Sequence, residues 1–538
     1  MSEAFDYVIV GAGSAGCVLA ARLSEDPDVT VCLLEAGPRD RHPLIHVPTG
    51  WMKLLDDPRV NWKHEAEPSE WTGGRRVPIP RGKVLGGSSS INGNIFNRGA
   101  PSDFDHWAQL GNPGWGFADV LPVFRRLEDW TGPDPDGLRG RGGPLKVTPT
   151  EWRHPLCEAF LDAAAHVGVP RNPDYNGRAQ FGGAYAQRTI DGRFRRSAAR
   201  AWLHPAMGRA NLSVRTGVQA LGVETEGRRA VGVRVSDGAG GARVVRARRE
   251  VVLSAGAVAS PQLLQVSGIG DPEHLAGLGV PVLAASPGVG RNLRDHFTPR
   301  FTARVKGAET FNERVHGLRF LRELAAYALG RDSVLGLQST ACYAFAKSSP
   351  ALEDSDLQIT FMPASYAEGR QNRLDDRPGM TITAWQQRPD SHGEILARSA
   401  DMRDRPEIRP NWLAEESDRR VLLAGLRLCR EILRAPPMAP YFAGEIWPGE
   451  GVASDAELLD AVKARGTTTF HFCGTCRMGP EHDAGAVVDP RLRVRGMEAL
   501  RVADASIMPT VPAANTNAST LMIGEKAAEM IREDARGG

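Results

Sequence analysis

Three glycines near the N-terminus have the spacing that binds dinucleotides. Gly11, Gly13 and Gly16 follow a short apolar run, with Ser14 and Ala15 between the last two. A Gly-x-Gly-x-x-Gly pattern of this kind turns a buried strand tightly into a helix. The first free N–H groups of that helix point outward and favour an anion such as a pyrophosphate. We therefore predict an anion site at the start of this helix.

Each glycine of the pattern has its own physical task, and an acid completes the set. Gly11 permits the turn, Gly13 lets a pyrophosphate approach the backbone, and Gly16 lets the helix pack against the strand. A second apolar run ends in Glu35, where a carboxylate can accept hydrogen bonds from a ribose, and Ala36 follows it. Because strand, glycines, helix, strand and acid occur in the required order, we predict a bound dinucleotide rather than a chance match among 59 glycines.

The elements that position such a site belong to a chain of ordinary globular composition. Of its 538 residues 41% are hydrophobic and 24% are charged, and this length exceeds what one hydrophobic core organises, so we expect at least two domains. The 66 basic and 64 acidic residues nearly cancel. No overall field favours nucleic acid, and we predict no nucleic-acid partner.

The cysteines and the apolar segments indicate the compartment. Seven cysteines are scattered along the chain, as is typical of a reducing environment. The N-terminal apolar stretch has no basic region before it, unlike a signal peptide. No window of about 18 uninterrupted apolar residues appears, so we expect no transmembrane segment. We predict a cytoplasmic protein and leave peripheral contact with the inner membrane open.

A second polar segment, residues 81–94, also has the composition of a ligand site. Paired glycines, hydroxyls and amides offer many donors and a close backbone approach to a phosphate or a polar heterocycle. A glycine-serine linker is the alternative, but linkers are rarely so rich in amides. The residues that we expect to contact a cofactor here are Arg81, Gly86, Gly87, Ser88, Asn92, Gly93 and Asn94.

Together these motifs resemble the signatures of the glucose-methanol-choline (GMC) oxidoreductases. The resemblance rests on the N-terminal fingerprint, on segment 81–94 with Arg98-Gly99, and on segment 254–270, and it extends from residue 5 to about residue 530. It implies an FAD-dependent enzyme acting on alcohols. It also implies an α/β fold with a Rossmann-like FAD-binding domain of the glutathione-reductase type and a second, α+β substrate-binding domain built on an antiparallel sheet.

The resemblance further implies a discontinuous division of the chain. The predicted FAD-binding domain comprises residues 1–155, 190–300 and 465–538, and the predicted substrate-binding domain comprises residues 156–189 and 301–464. Periodicity predicts strands over 357–362 and 380–387 and a helix over 417–433 with an apolar stripe. It also predicts a strand meander over 211–253 and a closing helix over 519–532.

The candidate catalytic residues lie near the C-terminus. A histidine flanked by apolar residues, such as His471, is more often a core residue when taken alone. The resemblance reverses this, because a histidine in the family's H-x-x-G-T context faces the flavin and Asn515 occupies the place of its partner. An imidazole can take the hydroxyl proton while an amide donates a hydrogen bond to the developing alkoxide. We therefore predict His471 as general base and Asn515 as orienting donor, and we expect His296 to be structural.

Further cofactor positions follow only from the resemblance. The backbone at Val218 corresponds to an adenine contact, and Asp504 corresponds to an acid beside the pyrophosphate and ribityl chain. Ala255 and Ala505 lie in the motifs around them. Some members attach FAD covalently through a histidine, and Ile91 stands at that place here. Noncovalent FAD is therefore predicted.

Two competing interpretations of the catalytic segment receive little weight. Cys473-x-x-Cys476 has the spacing of a redox motif but lacks the context of a thioredoxin-like unit. Neither do these cysteines and His471 make a good zinc set without a fourth ligand at suitable spacing. We expect the cysteines to be scaffold and predict no metal.

The substrate and the electron acceptor are less well determined. The aromatic residues Phe96, Trp385, Phe470 and Phe472 suggest an apolar pocket for medium aliphatic or aromatic primary alcohols, which would be oxidised to aldehydes. No carboxylate or aromatic cage for choline can be placed. We favour a quinone or dye-type acceptor, as in a dehydrogenase. The alternatives are an oxidase that uses O2, on furfuryl or aryl alcohols for example, and a flavin-containing hydroxynitrile lyase.

Overall fold

The computed structural model describes residues 3–237, 240–367 and 373–537 and contains two large β-sheets. The first sheet has seven strands and includes both halves of the N-terminal fingerprint. Its strands are Ala4–Val10 (β1), Val31–Glu35 (β2), Leu212–Thr216, Ala220–Glu226, Arg229–Ser236, Ala242–Leu253 and Leu500–Val502.

The centre of the first sheet is parallel. β1 pairs in parallel with β2 on one side and with Ala242–Leu253 on the other, and helix α1 (Ser14–Leu23) follows β1. β1 ends in a run of five buried residues and β2 is buried throughout, which is typical of strands covered on both faces. Parallel strands direct their carboxyl ends to one edge, where ligands of open α/β sheets bind.

The strand meander expected over 211–253 is correct for its last three strands only. These pair antiparallel with one another, whereas Leu212–Thr216 runs parallel to β2 at the opposite edge. The carbonyl of Asn211 accepts from the N–H of Val31, and its side chain donates to the carbonyl of Val29. Valine-rich alternation predicts a strand but not its partner, and these contacts decide the partner.

The second sheet is antiparallel and has six strands. In spatial order they are Phe442–Trp447, Phe301–Val305, Gly379–Gln386, Leu357–Met362, Cys342–Ala346 and Gly182–Tyr185. Helix Glu416–Arg434 packs on one face of this sheet, and the predicted stripe of Leu422, Leu426, Cys429 and Leu433 is buried. A Cβ at Gly425 would lie 2.8 Å from a Leu357 methyl, so helix and sheet approach closely.

The other face of the second sheet lines a cavity, as the alternation of side chains along its strands shows. Met380, Ile382 and Ala384 face the core beneath the helix, whereas Thr381, Thr383 and Trp385 line the cavity. The predicted fold class is thus confirmed. The division into domain segments stays a prediction.

The helices surround the two sheets. Helices of eight residues or more in the described part of the chain are Ser14–Leu23, Pro101–Gln109, Phe117–Leu127, Pro155–His166, Gly256–Val266, Gly317–Ala328, Glu416–Arg434, Asp455–Arg465 and Asn517–Gly537. Within the described residues, no helix is long and apolar enough to cross a membrane.

The last helix returns the C-terminus to the fingerprint. Asn517–Gly537 packs on α1, and a Cβ at Gly524 would lie 3.0 Å from the Ala15 Cα. The hydroxyl of Ser14 donates to the Asn517 side chain at 2.7 Å. This contact brings the residues just before the last helix to the edge of the first sheet.

Candidate active site

One cavity of about 670 Å³ extends from the edge of the first sheet to the face of the second. His471 and Asn515 line it, and so do most of the predicted cofactor residues. These are Gly11, Gly13, Ser14, Ala15, Glu35, Ala36, Arg81, Gly87, Ser88, Asn92, Gly93, Val218, Ala255, Asp504 and Ala505. Gly16, Gly86 and Asn94 lie behind the wall rather than in it.

The three glycines of the N-terminal fingerprint are required for different structural reasons. Gly11 has φ +97°, and its Cβ would lie 2.5 Å from the Ser254 carbonyl oxygen. A Cβ at Gly16 would lie 1.9 Å from the Gly11 carbonyl oxygen. A Cβ at Gly13, by contrast, would meet no protein atom closer than 3.8 Å. The protein itself therefore has room for a methyl group at Gly13. A side chain there would instead take space in the cavity that a ligand needs.

Two buried carboxylates hold the backbone at the sheet edge. Glu35 accepts hydrogen bonds from the N–H groups of Ala12 at 3.0 Å and Gly37 at 2.8 Å, one at each oxygen. Burial raises the pKa of Glu35 to about 7. Asp504 accepts from the N–H of Gly256 and the hydroxyl of Ser260, and burial raises its pKa. Each carboxylate oxygen has more than one lone pair, so both groups can also accept from a ligand hydroxyl.

Arg81 carries the clearest sign of an expected ligand. Its Nη1 donates to the Phe470 carbonyl at 2.9 Å, and its guanidinium lies 4.8 Å from the Phe472 ring centroid. Nε and Nη2 are buried without a hydrogen-bond partner among the described residues. Burial lowers the pKa of Arg81 to about 10, which leaves it a cation at neutral pH. Unpaired buried donors on a cavity wall are costly unless a ligand accepts from them.

His471 is held at both ring nitrogens. Its Nδ1 lies 2.9 Å from Nδ1 of His296 and 2.8 Å from Oγ1 of Thr469. Its Nε2 lies 2.9 Å from Nδ2 of Asn515. The two predicted catalytic residues are therefore in direct contact, and His296, expected to be only structural, touches the candidate base.

A backbone carbonyl determines which nitrogen carries each proton. Nε2 of His296 lies 2.7 Å from the carbonyl oxygen of Gln387, which can only accept, so Nε2 donates and Nδ1 of the neutral ring accepts. Nδ1 of His471 must then donate, which leaves a lone pair on its Nε2. Burial lowers the pKa of His296 to about 4, and its ring is therefore neutral.

The hydrogen bonds on the other side of His471, through Asn515 to Tyr343, impose the same proton arrangement. The hydroxyl of Tyr343 donates to Oδ1 of Asn515 at 3.1 Å, which turns the amide nitrogen towards Nε2 of His471. Burial raises the pKa of Tyr343, so the phenol keeps its proton. The contacts of His296 with Gln387 and of Asn515 with Tyr343 therefore both make Nε2 of His471 a hydrogen-bond acceptor. Within the described part of the chain, the second amide N–H of Asn515 is left for a ligand.

Asp295 fixes the backbone at the base. Its Oδ1 accepts from the N–H of His471 at 2.8 Å, and its Oδ2 accepts from Nε1 of Trp412 at 3.0 Å and from the hydroxyl of Thr468. Burial raises the pKa of Asp295 to about 7. This anchoring follows from the pairing of strands Phe297–Thr298 and Thr467–Thr468.

The electrostatics keep His471 neutral. Burial is the largest cause, and the neighbouring His296 and the Arg81 guanidinium add to it, so the pKa of His471 lies well below its usual value. A neutral imidazole with a lone pair at a cavity wall can take up a proton from a bound hydroxyl.

The structure agrees with three of the four predicted aromatic pocket residues and contradicts the fourth. Trp385, Phe470 and Phe472 line the cavity, but Phe96 does not, because its fully buried ring packs beneath the Arg139 guanidinium.

All seven cysteines are buried and form no disulfide, and burial raises the pKa of Cys473 and Cys476. No group of metal-ligating side chains occurs among the described residues.

Three contacts of the site were missed from the sequence: His296, Gln387 and Tyr343. His296 contacts His471, Gln387 contacts His296, and Tyr343 contacts Asn515. These pairs are separated by 91 to 175 residues, and no local pattern marks them. The one usable signal was the Asp295-His296 dipeptide, whose polar residues precede a buried strand.

The fold and cavity define a dinucleotide-dependent oxidoreductase, and comparison with known proteins gives its family. Two family models, both described as GMC oxidoreductase, match residues 5–298 and 389–524. The chain belongs to the GMC oxidoreductase family. It is an enzyme that acts on CH–OH donors, and FAD is its cofactor.

Relatives of different named activity match almost the whole chain. An alcohol dehydrogenase [acceptor] of Pseudomonas putida is 40% identical over 529 residues, covering 98% of this chain and 95% of that protein. An oxygen-dependent choline dehydrogenase of Photobacterium profundum is 38% identical, covering 99% and 93%. The solved structure of pyridoxine 4-oxidase from Mesorbium loti has a TM-score of 0.89 at 33% identity, covering 98% and 99%.

The cavity fits FAD on three structural grounds. Gly13 leaves an open cradle, Arg81 presents two unpaired donors, and Glu35 offers further acceptor capacity at the end of β2. At the place where a histidine would attach the cofactor, Ile91 is a buried hydrocarbon.

Replacing Gly13 with Ala tests the cradle. We expect Gly13→Ala to fold normally, because the new methyl fits the protein, but to bind FAD weakly, because it occupies ligand space. Overpacking costs about 1–3 kcal/mol, so the FAD dissociation constant should rise about 5- to 150-fold. Flavin absorbance after dialysis and circular dichroism measure the two effects. Gly208→Ala, at a glycine with nothing within 4 Å, is the control and retains its flavin; equal flavin content in both variants would contradict the cradle.

Acid precipitation tests the mode of attachment. Because Ile91 offers no nucleophile, trichloroacetic acid should release all yellow colour into the supernatant. A pellet that stays yellow after washing would show a covalent link elsewhere in the chain.

Proposed function

We propose that the protein oxidises primary alcohols to aldehydes, with His471 as general base and Asn515 as the residue that orients the alcohol oxygen. The observation that carries this proposal is the fixed proton arrangement. It leaves an Nε2 lone pair on His471 and a donor N–H on Asn515 at the same point of the cavity wall.

The chain's own groups account for the proton and the charge. An alcohol hydroxyl that replaces the Asn515 bond at Nε2 of His471 gives its proton to that nitrogen. The amide of Asn515 donates to the oxygen as negative charge develops there. When bound in this cavity, FAD would supply the hydride-accepting chemistry, at flavin N5, for the hydrogen of the alcohol carbon. The Nδ1–H of His471 stays bonded to His296, so the imidazolium keeps its orientation.

We also propose how the cofactor is held. The turn at Gly11 and Gly13 would bind the pyrophosphate, Glu35 the ribose, and the backbone at Val218 the adenine. Asp504, Ala505, Ala255 and the wall residues of segment 81–94 would hold the remainder. Gly16, Gly86 and Asn94 act from behind the wall: Gly86, for example, donates its N–H to the Ala12 carbonyl.

For the finer assignments, we favour medium aliphatic or aromatic primary alcohols and a quinone or dye-type acceptor. The aromatic wall of Trp385, Phe470 and Phe472 supports the first, and similarity to an alcohol dehydrogenase [acceptor] supports the second. Similarity to pyridoxine 4-oxidase supports the alternative in which O2 is the acceptor and H2O2 the product. A hydroxynitrile lyase remains the alternative if no alcohol reduces the flavin.

The predicted localisation is cytoplasmic, with peripheral contact with the inner membrane left open. Helix Gly317–Ala328 exposes Leu318, Leu321 and Leu324 to solvent, and Leu329 follows. An exposed apolar row of this kind is compatible with a peripheral contact.

An anaerobic titration tests the reaction. We expect primary alcohols to bleach the flavin of the wild-type protein, and the rate should hold as pH falls to about 6.5, because the base is active when neutral and its pKa lies below the ordinary histidine value. Replacement His471→Gln should slow bleaching by about 10²- to 10⁴-fold.

The control for this titration is reduction by dithionite, which should bleach both proteins equally. Admission of air then separates the acceptors, since rapid return of colour with H2O2 indicates an oxidase. If no alcohol bleaches the wild type, the proposed hydride transfer is wrong and the lyase alternative gains.

A matched pair of variants tests the role of His296 as a positioning residue. His296→Leu removes the acceptor for the His471 Nδ1–H, and we expect the limiting rate of flavin reduction to fall about 10²-fold. His296→Gln supplies an N–H for the Gln387 carbonyl and an oxygen for that Nδ1–H, so it should retain most of the rate.

The readout that separates positioning from general structure is the split between rate and affinity. The apparent alcohol dissociation constant and the FAD content should stay unchanged in both variants. Equal rates in the leucine and glutamine variants would show that the hydrogen bond to His296 does not orient the base.

A further inference from the structure

The wall of the second sheet carries a cation, Arg300, for which the described part of the chain supplies no ion-pair partner. Arg300 directly precedes strand Phe301–Val305 and lines the cavity. Its guanidinium stacks on the Tyr366 ring at 4.6 Å, and its Nη1 is buried without a hydrogen-bond partner. Among the described residues, no carboxylate forms an ion pair with it. A half-buried guanidinium with a buried, unbonded nitrogen is costly unless something else compensates it.

The other residues that the strands of the second sheet contribute to this wall are uncharged. Thr298, Thr360, Thr381 and Thr383 contribute hydroxyls. The acids of the cavity wall, in the described part of the chain, are Glu35, Asp404 and Asp504. Glu35 and Asp504 lie at the edge of the first sheet, and none of the three acids belongs to a strand of the second. Counted over the described residues, the end of the cavity at Arg300 is therefore net positive.

Strand register places Arg300 relative to the base. Phe301 pairs with Ile382, so Arg300 lies beside Thr383, whose hydroxyl donates to the Pro299 carbonyl. Trp385 follows two residues further along the same face, about 7 Å away. The Trp385 ring centroid is 6.2 Å from that of His471.

A ligand that touches both His471 and Arg300 is therefore extended along this strand. Its reacting hydroxyl lies at one end and the group that meets the guanidinium at the other. Guanidinium forks bind carboxylates through two parallel hydrogen bonds, and stacking on Tyr366 holds the fork in place.

We propose that Arg300 binds a carboxylate of the substrate, so that the natural alcohol is a hydroxy acid with its primary hydroxyl and its carboxylate at opposite ends. This proposal rests on the alcohol oxidation proposed above. It adds the feature that selects among alcohols, and it makes a quaternary ammonium substrate unfavourable, because that cation would face a like charge.

Two isosteric alcohols test the charge requirement directly. 4-(Hydroxymethyl)benzoate and 4-(hydroxymethyl)benzamide differ in charge but hardly in shape. We expect the wild-type protein to prefer the acid in kcat/KM by about 10- to 100-fold, as for a hydrogen-bonded charge pair. Arg300→Gln should abolish this preference, and Arg300→Lys should keep part of it.

A control variant and a cation complete the comparison. Arg304→Gln removes an arginine of strand Phe301–Val305 that lies outside the cavity and pairs with Asp375, and it should leave the preference unchanged. Choline should not reduce the flavin of the wild type. Equal kcat/KM for acid and amide in the wild type would overturn the proposal.

A binding measurement separates this proposal from the proposed reaction. 4-Methylbenzoate has no hydroxyl, and its affinity for the holoenzyme is measured by calorimetry and by perturbation of the flavin spectrum. We expect it to bind at least tenfold more tightly to the wild type than to Arg300→Gln, whereas 4-methylbenzamide should not distinguish them.

The two failures then differ. Arg300-dependent binding of 4-methylbenzoate, without bleaching by any alcohol, would keep the anion subsite and reject the alcohol oxidation. Bleaching by alcohols with Arg300-independent binding would reject the subsite alone. If Arg300→Gln does not fold, Arg300→Lys decides: unchanged affinity and preference in that variant overturn the specific role of the guanidinium fork.

Discussion

The proton shared between two buried imidazoles is the constraint on which the site depends. The Gln387 carbonyl accepts from Nε2 of His296, so the 2.9 Å contact between the two Nδ1 atoms works only if His471 is the donor. The Tyr343 hydroxyl sets the Asn515 amide from the other side. A tautomer fixed from both ends needs no change in proton position before a hydroxyl arrives, which favours efficient proton transfer.

Meeting that constraint requires both sheets and both ends of the chain. Gln387 directly follows a strand of the second sheet, and Tyr343 lies within another. His471 is placed by the short strand that pairs with Phe297–Thr298, while Asn515 is placed by the helix that packs on α1. The cavity exists because these pieces meet, and the burial that they produce keeps the imidazoles neutral. The fold therefore also determines the protonation state of the two histidines.

Local patterns predicted what local physics determines. The helix expected over 417–433 is Glu416–Arg434, and the strand expected over 357–362 has those bounds, because apolar periodicity reflects burial of one face. The partner of Leu212–Thr216 and the contact between His296 and His471 were not predicted. They join segments far apart in the chain, and pairing of that range depends on packing that no single segment encodes.

Unsatisfied polar atoms on the cavity wall give information that sequence identity does not. Arg81 and Arg300 both keep buried nitrogens without partners, one beside the base and one on the substrate wall. Such groups are costly to folding, and on a cavity wall a bound ligand can supply the missing partners. A relative named for choline is 38% identical, which shows the family and its shared chemistry. Specificity, however, is a difference of affinities set by a few groups, and the carboxylate site proposed at Arg300 would disfavour a cationic alcohol whatever the identity elsewhere.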